Sequence, residues 1–209
     1  FISIFFRTGT QTTPNPKIDS ISPSNRKYKE DVAITINGSG FLGGVDVSDV
    51  QNITFTEVNG PKVIILTPAS GFTVASDNRI DNVKLPIETL ARRFKMTLET
   101  SNSVTTDDIT FNVVIDIATD YSEVIDNLFP SNPDLTGSVK VPAGAISTPS
   151  ALVYKDASNY PNVLTANSAE YDDLVIPTEW NAKVLDVSFV EPSVNIDAGK
   201  FAEVTFTWT

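Results

Sequence analysis

The chain contains no cysteine and no histidine in 209 residues. Without cysteine there is no disulfide framework, no thiolate metal site and no lipidated N-terminal cysteine. Without histidine there is no Ser-His or Cys-His nucleophile pair, no His-ligated zinc and no imidazole general base, so few enzyme classes survive. Basic residues are scarce as well: 15 Lys+Arg face 26 Asp+Glu, a formal net charge of −11. Such a chain is repelled by phosphate backbones, and no nucleic-acid partner is expected despite the pair Arg92-Arg93. No apolar run approaches the roughly 20 residues that cross a bilayer, so no membrane span is expected.

What is present is globular in kind. Hydrophobic residues make up 41% and charged residues 20%, too apolar a mixture for a disordered chain. The acidic excess is uneven: residues 16–115 carry 10 Lys+Arg against 12 Asp+Glu, and residues 116–209 carry 4 against 14. This asymmetry predicts three parts, an arm and tether over 1–15, a first domain over 16–115 and an acidic second domain over 116–209. The first residue is Phe1, with neither an initiator Met nor a basic region before it, and earlier residues are expected either to have been removed or to be missing from this chain. Phe1, Ile2, Ile4, Phe5 and Phe6 form an apolar strand followed by a Thr/Pro-rich tether. Such an arm adds to its own sheet or to a neighbour's.

Short strands recur through the first domain. Val32, Ile34 and Ile36 alternate with polar residues, and further strand signals lie at 53–55, 62–66, 72–74, 83–85, 94–98 and 109–113. Asn59-Gly60-Pro61, Ser70-Gly71, Ser76-Asp77-Asn78 and Ser101-Asn102-Ser103 separate them. This is the strand count and spacing of a β-sandwich. Pro16, Ile18, Ile21 and Pro23 then fall in a Pro-x-Ile-x-x-Ile-x-Pro segment, and a strand ends in Gly38, Gly40 and Phe41. Ser76-Asp77-Asn78-Arg79-Ile80 is followed by Val83, Leu85 and Pro86, and Phe94, Met96 and Leu98 make the next strand. On these residues the segment 16–115 resembles the IPT/TIG family of immunoglobulin-like domains. Asn25 and Lys29 depart from it, standing where members often have Gly, and the usual Gly after the later proline is missing. The resemblance implies an immunoglobulin-like sandwich whose prolines, glycines and Phe41 serve turns and core. It fixes no function, because the domain occurs in surface receptors, bacterial surface and glycan-processing proteins, phage virion proteins and some transcription factors.

The second domain reads as mostly β with one short helix. Asp120 is placed to cap, Glu123 lies three residues on, and Ile117, Tyr121, Val124, Ile125 and Leu128 form one apolar stripe before Pro130. Strands are expected at 138–142, 150–154 and 173–176, with residues 155–172 a long polar loop. The runs 183–190 and 202–208 read as neighbouring antiparallel strands.

Signals for chemistry are weak. Asp107-Asp108, Asp172-Asp173 and the pair Asp46 and Asp49 supply carboxylates without an EF-hand spacing, and solvated loop acids are the expected reading. Tyr154, Tyr160, Tyr171 and Trp180 are the candidate ligand-contact aromatics, a sugar-stacking platform if they are exposed and core if they are not. No catalytic residue, metal ligand or cofactor is assigned. The expectation is a non-enzymatic structural subunit of a virion or cell-surface assembly, such as a phage capsid decoration, fibre, tail or surface-lattice protein. Its expected partners are copies of itself or neighbouring structural subunits. A carbohydrate-binding adhesion module with a glycan partner is the alternative, and a carboxylate-dependent glycoside hydrolase the third reading.

Overall fold

A computed structural model describes residues 15–43, 47–101, 103–105, 107–125, 135–156, 185–190, 196, 199–200 and 202–208. Phe1, Ile2, Ile4, Phe5 and Phe6, together with Tyr160, Tyr171 and Trp180, lie outside the described residues. The strands of the first part are β1 (Lys17–Ser22), β2 (Asn25–Lys27), β3 (Ile34–Ser39), β4 (Leu42–Gly43), β5 (Val47–Ser48), β6 (Val50–Glu57), β7 (Val63–Leu66), β8 (Thr73–Ser76), β9 (Arg79–Val83), β10 (Arg93–Thr100) and β11 (Ile109–Val114). One sheet runs in the order β1-β3-β9-β8 and faces a second in the order β2-β11-β10-β6-β7. The fold is the expected mainly-β, immunoglobulin-like sandwich.

Period-two patterning explains how the two sheets close. In β10, Phe94, Met96 and Leu98 are fully buried while Arg93, Lys95 and Thr97 between them are only half-buried, as a strand with one face on a core requires. Phe55 of β6 and Phe111 of β11 meet edge to face at 6.1 Å, and Ile34, Ile36 and Ile80 cover them from the opposite sheet. Burying each such side chain contributes about 1.5–3 kcal/mol, so this layer supplies most of the driving force for folding.

The glycines that precede Phe41 do two different jobs. Gly40 has a φ of 76°, a left-handed turn that a residue with a side chain adopts only under strain. Gly38 lies inside β3, where an added Cβ would sit 1.9 Å from the Lys17 carbonyl oxygen and 2.7 Å from the Phe41 ring. Its missing side chain is therefore what lets β1 seat on β3 and Phe41 enter the core, where it is fully buried. Because the obstacle is backbone, Gly38→Ala is expected to cost about 3 kcal/mol, the upper end of ordinary overpacking. Urea unfolding checks this, and an unchanged midpoint would mean that β1 is not held against Gly38.

The remaining strands are β12 (Tyr121–Ile125), β13 (Leu135–Val141), β14 (Leu152–Asp156), β15 (Leu185–Phe189) and β16 (Glu203–Trp208). They form a sheet in the order β12-β13-β16 and a separate β14-β15 pair. Two expectations are corrected here. The helix predicted after Asp120 is absent: residues 121–125 are a strand paired along its length with β13, and Leu128 lies outside the described residues. Asp120 caps no helix, its Oδ1 instead accepting the Ala143 N–H at 2.8 Å. The apolar stripe was compatible with a helix, but the ladder offered by β13 overrides a weak local preference. The runs 183–190 and 202–208 do not pair with each other either, since β15 pairs with β14 and β16 with β13. The intervening segment is long enough to carry the chain from one sheet to the other.

A second buried cluster joins the two parts of the chain. It contains Tyr121, Val139, Val141, Ile146, Leu152 and Tyr154, but also Ala91 and Ile115 from the region of the sandwich. Backbone hydrogen bonds run across the same seam, from Leu152 N–H to the Ala91 oxygen at 3.0 Å and from Ile115 N–H to the Ser150 oxygen at 2.9 Å. Tyr28 stands edge-on to Tyr121 at 5.1 Å between ring centres.

Candidate functional site

The densest polar arrangement among the described residues lies at this seam and is centred on Arg92. Ordinary packing would exclude an arginine here, yet its side chain is only 6% exposed. The Arg92 Nε donates to Glu57 Oε1 at 2.9 Å, Nη2 donates to Glu123 Oε2 at 2.8 Å, and Nη1 donates to the Ala91 carbonyl at 3.1 Å. Its guanidinium carbon also stands over the Tyr154 ring, with Cζ 4.1 Å from the ring centre, a cation–π contact. Glu57 comes from the end of β6, whereas Glu123 comes from β12 and Tyr154 from β14. The single arginine thus ties three elements from both parts of the chain.

Glu123 is the other hub. Its side chain is fully buried, and beyond Arg92 it accepts the Tyr121 hydroxyl at 2.9 Å and the Tyr154 hydroxyl. Tyr121 in turn accepts the Ala91 N–H at 3.1 Å. A buried carboxylate is tolerated when paired and hydrogen-bonded in this way. Burial raises the pKa of both tyrosines above the ordinary range; at Tyr121 the Glu123 charge adds to the rise and Arg92 opposes it, and at Tyr154 Arg92 opposes and Glu123 adds. At Arg92 burial is the largest single influence and works against the charge, but the charge and hydrogen bond of Glu123 together with Tyr154 and Tyr121 outweigh it, and the pKa is raised. Glu123 thus accepts three side-chain hydrogen bonds, all from within the cluster.

Tyr154 therefore has its ring against Arg92, its hydroxyl on Glu123 and only 8% of its surface exposed. As a ligand-contact aromatic it has little to offer a sugar. Tyr160, Tyr171 and Trp180 lie outside the described residues, as do Asp46, Asp172 and Asp173. The other acidic candidates are engaged locally. Asp107 accepts the Ile18 N–H at 2.8 Å, Asp49 accepts the Ser101 hydroxyl at 2.8 Å, and Asp108 faces Lys95 at 3.2 Å. Among the described residues no three acidic side chains converge as metal ligands would.

Sequence reasoning passed over Glu57, Arg92 and Glu123. The available signal was slight: Glu123 follows Tyr121 at the spacing that puts both on one face of a strand, which is visible only once residues 121–125 are read as a strand.

The comparisons bear on the first part of the chain. Residues 16–113 match the family model of the IPT/TIG domain, over the same sheets, glycines and Phe41 described above. Residues 16–113 are an IPT/TIG domain. The match covers just under half of the 209 residues, so the name belongs to this domain and not to the strands that follow it. No curated protein matches the chain. A solved structure of a structural-genomics protein of unknown function from Bacteroides thetaiotaomicron VPI-5482 is 19% identical, with a TM-score of 0.35, covering 55% of this chain and 24% of that one. So low a score adds nothing to the fold assignment. The Arg92 cluster sits at the end of the IPT/TIG domain that meets β12 and β14, the natural place for a joint.

Proposed function

We propose that the chain is a non-enzymatic structural module of a virion or cell-surface assembly, in which the IPT/TIG domain and the strands after it act as one stiff unit that makes contacts with neighbouring subunits. The observation that carries this reading is the Arg92 cluster. Its charges and hydroxyls are paired with one another across the joint, which suits a rigid connection between the two parts. IPT/TIG domains are typically contact modules, and the strong acidic excess of residues 116–209 suits electrostatic docking on a basic neighbour. The carbohydrate reading loses Tyr154 and has nothing among the described residues in its favour.

Antibodies raised against the purified chain test the proposal in the organism that makes it. Labelling of particles or of the cell exterior, with the chain recovered in that fraction, is the expected result. Recovery as a free monomer in the soluble interior, with no labelled particle or surface, would overturn it.

A further inference from the structure

We propose that β7 is a self-association edge, pairing antiparallel with β7 of a second copy so that two IPT/TIG sheets join into one. This rests on the reading of the chain as an assembly subunit and names the partner.

The geometry follows from the register of β7 on β6. Val63 lies opposite Thr56, Ile64 opposite Phe55, Ile65 opposite Thr54 and Leu66 opposite Ile53, and the Glu57 N–H donates to the Lys62 oxygen at 2.8 Å. Antiparallel ladders alternate hydrogen-bonded and non-hydrogen-bonded pairs. Starting from the bonded pair Glu57 and Lys62, Ile64 and Leu66 turn their backbone groups toward β6, and Val63 and Ile65 turn theirs away. β7 ends the sheet order, and no partner for those outward groups is found among the described residues. The same two residues carry side chains on the sheet's outer face, where Val63 is 49% and Ile65 59% exposed. An apolar β-branched strand with its outward backbone groups unpaired is a template for another strand.

The template selects a copy of itself. Pro61 and Pro68 bracket the strand, and the Thr67 N–H is already taken by the Ser70 hydroxyl at 2.9 Å, so only Val63 and Ile65 offer backbone groups. A two-fold axis through Ile64 sets Val63 opposite Ile65 of the second copy and Ile65 opposite its Val63, satisfying both sets at once. Charge points the same way. Two chains of net charge −11 repel each other, but residues 61–68 hold one lysine and no acid, and the neighbouring outward residues Thr54 and Thr56 are uncharged. A contact of so few residues falls below the roughly 1,200 Å² of standard interfaces. It should close at high local concentration, as in an assembly, and open on dilution.

The absence of native cysteine makes the register testable. Val63→Cys and Ile65→Cys are made as separate full-length variants, checked for native circular dichroism, and oxidised mildly alone and mixed. Opposed residues of a bonded antiparallel pair have Cα atoms about 5.5 Å apart, within disulfide range. Like residues lie diagonally at roughly 7–8 Å, at or beyond it. The expected result is a crosslinked dimer that forms readily in the mixture and poorly in either variant alone, together with loss of concentration-dependent association by sedimentation in Ile65→Lys. No preferential crosslink in the mixture would overturn the proposal. So would slow amide exchange at Val63 and Ile65 in dilute monomer, since the edge would then be filled from within the chain. Failure of the crosslink in a chain still found on particles or cell surfaces rejects the edge contact alone. Absence from every such assembly rejects the reading beneath it.

Discussion

Arg92→Ala is expected to lower stability by about 3–5 kcal/mol, the penalty of removing one partner from a buried ion pair and leaving the other charge uncompensated. The variant strands Glu123, which is fully buried, and removes the donor that holds Glu57. It also uncovers the Tyr154 ring and deletes the donor to the Ala91 carbonyl. The loss should fall first on the strands after the IPT/TIG domain, because Glu123 and Tyr154 belong to them, whereas the sandwich keeps a separate core of its own. Both tryptophans, Trp180 and Trp208, lie in residues 116–209, so tryptophan fluorescence follows that part while far-ultraviolet circular dichroism follows all the strands. In urea the two signals should separate, with fluorescence changing at lower denaturant. Coincident transitions with a loss below about 1 kcal/mol would show that the joint does not depend on the arginine.

Removing the charges together should be milder than removing one. Arg92→Met combined with Glu57→Gln and Glu123→Gln leaves no uncompensated ion and keeps most of the volume, and buried pairs replaced as a set are often near neutral. The three changes are expected to be far from additive, as for any residues sharing one hydrogen-bond network. A triple variant as unstable as Arg92→Ala would mean that the arginine acts through packing over Tyr154.

The sandwich was readable because its causes are local. Alternation in β10, the glycine pair before Phe41 and the prolines around β1 each constrain a few neighbouring residues, and all point to the same fold. One departure from the family pattern also has a local account: Lys29, standing where glycine is common, has a φ of 62°, so the turn keeps its left-handed geometry and the lysine carries the strain. The joint was not readable, because its parts come from positions 57, 92, 121, 123 and 154 and nothing in the intervening sequence links them. Glu123 misled in particular. An acid three residues after Asp120 fits a helix cap, and only the presence of β13 turns the same residue into a buried carboxylate facing an arginine. The β7 edge was legible as a strand but not as an edge, since sheet order is a tertiary property.

Alkaline pH should unfold the protein through the same cluster. The ordinary tyrosine value is 10.0, and both Tyr121 and Tyr154 are held above it in the folded chain by burial and by the charge of Glu123. Above pH 10 the unfolded chain releases these protons and the folded chain retains them. The contribution is therefore fully present below pH 10 and is lost as pH rises beyond it. Each tyrosine adds a slope of about 1.4 kcal/mol per pH unit, so the pair removes about 3 kcal/mol per unit until the folded state gives way. Urea unfolding measured at steps from neutral pH to pH 11 should show this decline. In Tyr121→Phe or Tyr154→Phe it should be roughly halved, against a lower starting stability from the lost hydrogen bond to Glu123. The lysines and the other three tyrosines are common to all the variants, so the difference between chains isolates the Tyr121 and Tyr154 hydroxyls. The phenolate absorbance of the native protein supplies the independent check. If all five tyrosines ionised together near pH 10 without unfolding, the hydroxyls could not be sealed against Glu123, and the joint would have to be open to solvent.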